Sequence, residues 1–267
     1  MIQSITDALT QVRGVVAIVL GGSRATNLHT EQSDYDIGIY YEALTLDLAG
    51  LQTCAAALDD AHRTDLMTGP GGWGDWVNGG GWLTVNGAPV DLILRDVQRV
   101  SESCTDAHAG KLKSNYQIGH PHAFLNTMYA GELACCTILW SANNHIPLLK
   151  QSMHPYPQAL KQAIVQFFLF EANFSFSLAE KYAKTDDTYY VMAHLVRSVS
   201  ALNQVFFALN ERYCLNEKHA VRAIQAMPLR PNSYTECIDA VLSSGGLGTR
   251  CAALRALLDE ANQFLLT

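Results

Sequence analysis

The sequence contains no long apolar run and little charge. None of its apolar stretches approaches the roughly 18 residues needed to span a bilayer, so no transmembrane helix is predicted. The first residues, Met1–Asp7, lack a basic region ahead of an apolar run, and no signal peptide is predicted. With 49% hydrophobic residues, 16% charged residues and eight prolines, the composition is that of an ordered globular protein. We expect one large or two modest domains, no membrane partner and a cytoplasmic location.

Paired cysteines are also absent. The seven cysteines include no CxxC motif and are odd in number, which fits neither a disulfide framework nor a thiolate zinc site. The expected state is therefore buried free thiols in a reducing compartment.

Positive charge is scarce in the first part of the chain. Residues 1–110 hold five Lys or Arg and fourteen Asp or Glu, a net charge of −9, whereas residues 111–267 hold thirteen and eleven, a net charge of +2. A region this acidic repels phosphate backbones, so nucleic acid is not expected as a partner. It suits divalent cations or a cationic small molecule.

The first hundred residues alternate between strand and helix signals. A β-branched run ends at a glycine pair, a second apolar strand follows, and helical spacing comes next. Asn86-Gly87 is a strong signal for a two-residue hairpin, and it places Asp91 and Ile93 on one face of the second hairpin strand. The predicted elements are strands Val15–Leu20 and Asp36–Tyr41, a helix within Thr45–Asp60, and hairpin strands Trp82–Val85 and Pro89–Leu94.

Residues 69–81 contain too much glycine for regular structure and predict a loop, with an active-site flap as one interpretation. Trp73 and Trp76 lie in this loop and Trp82 follows it. The three indoles are candidates for stacking on a base or an acceptor ring, and packing in the core or hairpin is the alternative.

Helical patterns dominate from about Asp96 onward. The predicted apolar stripes are Leu160, Ile164, Phe167, Phe174 and Leu178 in one helix and Val191, Leu195, Val199, Leu202, Phe206 and Leu209 in the next. Further helices are expected over Phe124–Leu139 and near Arg250–Leu266. The predicted fold class is α+β: a domain over residues 1–108 with a mixed sheet and flanking helices, and an all-helical bundle over residues 109–267.

A phosphate-binding turn is predicted after the first strand. Gly22 and Ser23 follow the buried run, and a helix is expected to begin near Arg24 or Ala25. Backbone N–H groups at such a turn, together with a serine hydroxyl, can hold a phosphate group.

Three aspartates complete the candidate site. Asp34 and Asp36 stand at positions i and i+2 at the head of the second strand, so their carboxylates face the same way and favour a hard cation such as Mg²⁺. Asp91 lies in an otherwise apolar strand, where burying a lone carboxylate is costly. A shared metal site would compensate this cost, and a salt bridge from Asp91 to Arg24 or Arg95 is the alternative.

The order of these features resembles the signature of the nucleotidyltransferase superfamily that includes DNA polymerase beta. The stretches that carry the resemblance are Gly21–Ala25 and Ser33–Tyr40, followed by the acid in the hairpin strand, and the resemblance covers about residues 10–100. The helical remainder is similar in layout to the small-substrate branch, the aminoglycoside and lincosamide nucleotidyltransferases.

The resemblance implies a role for each of these residues. Asp34 and Asp36 would bind two Mg²⁺ ions and, through them, the triphosphate of ATP or another NTP. Gly22 and Ser23 would hold the β- and γ-phosphates. Asp91 would complete the inner metal site and help to deprotonate the attacking hydroxyl.

Two basic residues are further nucleotide-binding candidates. Arg24 follows the predicted phosphate-binding turn and would reach the triphosphate. The alternative is a surface residue without a role in the site. Small-substrate relatives use a bundle lysine to hold triphosphate oxygens. Lys218 is the preferred candidate for that role, with a solvated lysine as the alternative.

Three residues of the middle region stay open as contributors to the site. His120 and His122 could bind a metal or a phosphate, but a turn leading into a helix near Pro121 is the favoured interpretation. Glu132 is a candidate general base, with an ordinary exposed glutamate as the alternative.

The resemblance implies a Mg²⁺-dependent transfer of a nucleoside monophosphate, AMP in the first instance, to a hydroxyl of a small acceptor with release of pyrophosphate. The alternatives are a regulatory nucleotidyltransferase of toxin–antitoxin type that acts on or binds a partner protein, and an inert nucleotide-binding sensor. A homodimer is a further expectation, since small-substrate relatives often share a cleft across a dimer.

Overall fold

The computed structural model describes residues 1–26, 30–185, 187–243 and 245–264. The chain forms two compact units. The first contains Met1–Ala107, Lys113–Gly119 and Ala123–Pro155, and the second contains His108–Leu112, His120–His122 and Tyr156–Thr267. The predicted fold class, α+β with a mixed sheet and a helical C-terminal region, is confirmed.

The described elements as far as residue 152 include both helices and strands. They are α1 Ile2–Leu9, β1 Val15–Leu20, α2 Gly22–Ala25, β2 Tyr35–Tyr41, α3 Leu48–Leu58, β3 Gly80–Val85, β4 Ala88–Asp96, α4 Val97–Ala109, β5 Ser114–Asn115, β6 Phe124–Leu125, α5 Met128–Cys135, β7 Thr137–Ser141 and α6 His145–Ser152. The predicted strands, the helix within Thr45–Asp60 and the Asn86-Gly87 hairpin are therefore confirmed.

The central sheet has the strand order β3-β4-β2-β1-β7. Strands β2 and β4 run parallel, whereas the other neighbouring pairs are antiparallel. One face of the sheet packs on α1 and α3. The core on this face includes Ile5, Leu9, Leu51 and Ala55 from the helices and Ile18, Ile37, Ile39, Val90, Leu92 and Leu94 from the strands. Residues of opposite parity, Asp36 and Asp91 among them, point to the other face.

The first unit extends beyond the predicted boundary at residue 108. Strand β7 pairs with β1 at the sheet edge, and this pairing brings residues 123–155 into the first unit. The predicted continuous helix over Phe124–Leu139 is wrong, because the helix spans Met128–Cys135 and the chain then becomes strand at Thr137. Consecutive β-branched residues, Thr137 and Ile138, favour the extended conformation, and the neighbouring strand β1 stabilises it.

The second unit is helical over its described residues. The helices there are α7 Gln158–Tyr182, α8 Thr188–Leu209, α9 Ala220–Gln225, α10 Tyr234–Ser243 and α11 Leu247–Gln263. The predicted last helix corresponds to α11, and its expected end at Leu266 lies outside the described residues. In the described part of the chain, no helix is long and apolar enough to cross a membrane. All seven cysteines are free.

The α8 stripe is confirmed, whereas the α7 stripe is confirmed at Leu160 and Ile164 and wrong at Phe167 and Phe174. Val191 to Phe206 of the α8 stripe are buried as predicted, whereas Phe167 and Phe174 of α7 are exposed. The buried face of α7 comprises Leu160, Ile164, Phe168, Ala172, Ser175, Phe176 and Ala179. Its small residues allow α7 and α8 to approach closely, and the Ser198 hydroxyl of α8 donates to the Ala172 carbonyl. The large aromatic residues therefore led to a wrong prediction of the buried face of α7.

Candidate active site

Two of the three aspartates lie side by side on the sheet. Asp36 of β2 and Asp91 of β4 are direct register partners in the parallel pair, so their side chains leave the same face. Neighbouring strands lie about 5 Å apart, which brings two carboxyl groups within strong electrostatic reach of each other. Both side chains are half-buried. The juxtaposition predicted from the sequence is present.

Asp34 precedes β2 and is exposed. Its charge nevertheless acts on Asp91. The pKa of Asp91 is raised to about 6, first by burial and then by the charges of Asp36 and Asp34. A carboxyl group with a raised pKa marks a place where negative charge is concentrated without full compensation. Asp34 and Asp36 thus share one electrostatic environment with Asp91, which is distant from them in the sequence.

The glycine turn packs directly on this acid cluster. Gly22 has a φ of +58°, and a Cβ added there would lie 1.7 Å from Oδ2 of Asp36. Glycine is therefore required by both the left-handed backbone and the close approach of the carboxylate. The turn continues into the single helical turn α2, whose first hydrogen bond runs from the Ala25 N–H to the Gly21 carbonyl. Gly22 and Ser23 precede that bond, and Gly22 lies beside the Asp36 carboxylate.

Arg24 has structural contacts that neither sequence interpretation included. Its guanidinium donates to the backbone carbonyls of Ser33 and Asp34, at 2.6 to 3.1 Å, and stacks 3.6 Å from the centroid of the Tyr35 ring. These contacts tie the turn at Gly22 to the start of β2. Arg24 therefore fixes the chain at Asp34 relative to Gly22.

Arg95 and Glu132 form an ion pair on the same face of the sheet, four residues beyond Asp91. Arg95 Nε and its terminal amino group donate to the two carboxylate oxygens of Glu132 at 2.6 and 2.8 Å. Burial disfavours the charged form of Arg95, but the charge and hydrogen bonds of Glu132 outweigh that effect and leave its pKa raised. Glu132 is thus neither an ordinary exposed glutamate nor a carboxylate with unengaged oxygens. Because Arg24 and Arg95 have these other contacts, the alternative of a salt bridge to Asp91 loses its support.

The tryptophans divide into two groups. Trp76 packs on Phe124 and Tyr129, as the packing alternative predicted. Trp82 is the register partner of Asp91 across the hairpin, is 61% exposed and stacks on Trp73 with ring centroids 4.5 Å apart. A two-residue loop at Asn86-Gly87 fixes this register, so the sequence contained the signal that Trp82 lies opposite Asp91.

The remaining candidates lie in the second unit. Lys218 is exposed in the segment before α9, and its backbone N–H donates to Asn216 Oδ1. His122 is buried, lies 4.0 Å from the Glu171 carboxylate and donates its backbone N–H to Glu217. His120 belongs to the same short segment. The helix expected after this segment begins at Met128, beyond strand β6.

The acid cluster matches the ligand chemistry of Mg²⁺. Magnesium prefers carboxylate oxygens and is commonly held by one or two carboxylates together with substrate phosphates. Among the described residues, no group of three His, Cys, Asp or Glu side chains is arranged to hold a metal ion. Asp34, Asp36 and Asp91 supply the carboxylates that could hold such a cation together with substrate phosphates.

Comparison with known proteins agrees with this geometry. Residues 2–96, which contain β1, β2, β4 and all three aspartates, match the family model described as a nucleotidyltransferase domain. No curated protein matches the sequence. A solved structure of a nucleotidyltransferase-like protein from Exiguobacterium sibiricum is similar at 13% identity and a TM-score of 0.46, over 97% of this chain and 74% of that chain. Residues 2–96 therefore carry a nucleotidyltransferase domain.

Proposed function

We propose that this protein is a Mg²⁺-dependent nucleotidyltransferase that moves a nucleoside monophosphate, AMP in the first instance, from an NTP to a hydroxyl of a small acceptor. The observation that carries the proposal is the pairing of Asp36 with Asp91 on one face of the sheet, against the Gly22 turn. Concentrated negative charge beside backbone N–H groups suits a cation that bridges to phosphate.

Each residue of the cluster has a proposed role. Asp34 and Asp36 hold the cations, and the turn at Gly22 and Ser23 holds phosphate oxygens. Two bound Mg²⁺ ions would neutralise the triphosphate and favour ionisation of the attacking hydroxyl. That hydroxyl attacks the α-phosphorus, the bond to the pyrophosphate oxygen breaks, and the proton of the hydroxyl passes to a carboxylate oxygen of Asp91. A pKa of about 6 leaves Asp91 ionised near neutral pH and able to accept this proton.

The test is a transfer assay with α-labelled ATP and Mg²⁺. Candidate acceptors are aminoglycosides, lincosamides and protein fractions, and the position of the label identifies the acceptor class. Label on a small molecule with release of pyrophosphate supports the proposal. Label on protein would instead support the regulatory alternative, and tight ATP binding without transfer would support the sensor.

Asp36→Asn is the decisive variant. One remaining carboxylate of the pair holds the cations poorly, and we expect transfer to fall about a thousandfold, equivalent to ~4 kcal/mol. Asp7→Asn is the matched control, because Asp7 is exposed on α1 and accepts a hydrogen bond from Gln3. Pyrophosphate release at the wild-type rate by Asp36→Asn would contradict the assignment.

A further inference from the structure

The exposed tryptophan Trp82 occupies a defined position relative to the acid cluster. Four consecutive positions cross the sheet: Trp82 on β3, Asp91 on β4, Asp36 on β2, and Gly22 after β1. Strand spacing puts the Trp82 backbone about 5 Å from that of Asp91 and about 10 Å from that of Asp36. The phosphate turn and the indole thus flank the acids on opposite sides.

Trp73 extends the indole surface. Its ring packs over Gly80, where an added Cβ would lie 2.7 Å from the ring, and it stacks on Trp82. Gly80 is the register partner of Ile93, two residues from Asp91 and on the same face. The absence of a side chain at Gly80 therefore allows the Trp73 ring to pack against the sheet at this position.

Hydrogen bonds hold the glycine-rich loop in place. The Trp73 N–H donates to the Asn78 carbonyl, and the Trp73 carbonyl accepts from the Gln117 side chain. The buried side chain of Asn78 donates to the hydroxyl of Tyr41 at 2.8 Å. This loop is anchored to the sheet rather than built as an open flap. A recognition surface held in this way costs little ordering entropy when a ligand binds.

We propose that the Trp73–Trp82 pair is the platform for the acceptor, and that the acceptor is a ring-bearing alcohol that is uncharged or cationic. This inference rests on the proposed function. The phosphate turn takes the nucleotide on the Gly22 side, which leaves the Trp82 side of Asp91 for the second substrate. A large exposed indole binds ring faces and cations, and the neighbouring aspartates repel an anionic acceptor. A hydroxyl on a ring stacked at Trp82 lies next to the carboxylate that receives its proton.

The test measures binding of the two substrates separately, by titration calorimetry. The nucleotide probe is a non-hydrolysable ATP analogue with Mg²⁺. The acceptor probes are kanamycin, lincomycin and streptomycin, which are cationic ring-bearing alcohols, with glucose 6-phosphate as the anionic comparison. Each acceptor probe is added to the protein already saturated with the nucleotide analogue.

We expect Trp82→Ala to weaken binding of the best acceptor probe about tenfold, in the range measured for stacking on an aromatic side chain. Trp82→Phe keeps a ring and should lose about threefold. Thr84→Ala is the matched control, because Thr84 is exposed on the same face of β3 but pairs with Pro89 rather than with Asp91. The affinity for the nucleotide analogue should stay within about twofold in all three variants.

Each other outcome overturns one specific claim. If the wild type binds the nucleotide analogue but no acceptor probe, or binds glucose 6-phosphate best, the acceptor platform is wrong and the proposed function stands. The platform is also wrong if Trp82→Ala, folded by circular dichroism, retains wild-type acceptor affinity. If the wild type fails to bind the nucleotide analogue, the proposed function itself fails.

Discussion

Strands β2 and β4 carry buried or half-buried charged side chains at two positions on the same face, and the surroundings of these two positions differ. At one end, Asp36 lies beside Asp91, and burial together with two neighbouring carboxylates raises the Asp91 pKa to about 6. Four residues further on, Tyr40 lies beside Arg95, whose buried charge is compensated by both oxygens of Glu132.

The difference distinguishes a charge that the scaffold compensates from the charges of the proposed site. The Arg95 end is satisfied by the chain itself, because an unpaired buried charge would be expensive. The Asp91 end retains an electrostatic penalty that a bound cation would relieve. Perturbed carboxyl groups of this kind are typical of functional sites, whereas paired ones are typical of the scaffold.

Breaking the satisfied end should have the larger effect on stability. In Glu132→Gln the buried guanidinium of Arg95 keeps its charge and loses its counter-ion. We expect the free energy of unfolding to fall by about 2 kcal/mol, less than for a fully buried pair because Glu132 is 30% exposed. Urea denaturation measures this loss, with the exposed Glu102→Gln as control. The molecules that remain folded should keep their transfer activity, since both carboxylate oxygens of Glu132 are engaged by Arg95.

Unchanged stability of Glu132→Gln would show that the two ends do not differ as described. Loss of activity in the fully folded variant would instead restore Glu132 as a candidate general base.

Neutralising the acid end should raise stability while abolishing transfer. The pKa of Asp91 is about 6 in the folded protein against an ordinary value of 3.8, so its contribution to stability falls as the pH rises from about 4 to about 6. Without metal or nucleotide, Asp91→Asn should therefore be more stable than the wild type by about 1–2 kcal/mol at about pH 7.5. The full shift corresponds to ~3 kcal/mol, which we reduce because the side chain is half exposed.

The gain should vanish at about pH 3, where the wild-type carboxyl is largely protonated in both states. Urea denaturation at the two pH values measures the difference, with Asp7→Asn as control. A variant that is less stable than the wild type at pH 7.5 would mean that Asp91 has a stabilising partner and is part of the scaffold.

The variant Lys218→Ala tests whether this lysine binds the triphosphate. Its expected effect is the smallest of the three. Loss of one charge-assisted contact should raise the KM for nucleotide about fivefold without changing stability. Steady-state kinetics of Lys218→Ala against the exposed Lys184→Ala measure the effect. An unchanged KM removes Lys218 from the nucleotide site.

Much of the candidate site was predictable because its signals are local. The Gly22 turn, the Asp34–Asp36 spacing and the Asn86-Gly87 hairpin each depend on a few neighbouring residues. The hairpin even determined the position of Trp82 opposite Asp91, since a two-residue loop permits a single register. The assignments of Asp34, Asp36, Asp91, Gly22, Ser23 and Lys218 to their roles stay predictions, as does a homodimer.

The contacts that escaped prediction are those made between distant segments. Strand β7 depends on an edge of β1 more than a hundred residues earlier, and its own sequence continues the apolar pattern of α5. The buried face of α7 depends on the small residues that let α8 approach, and the exposed Phe167 and Phe174 gave the stronger but misleading signal.

By itself, the sequence determined the acidic first region, the hairpin register and the order of turn, paired acids and third acid, because short-range geometry fixes all of them. The tertiary structure alone decided that Arg24 binds the carbonyls beside Asp34, that Glu132 neutralises Arg95 and that Trp73 lies over Gly80. The physical reason is that a charge or a ring takes the partner that folding brings within reach, and spacing along the chain does not encode that partner.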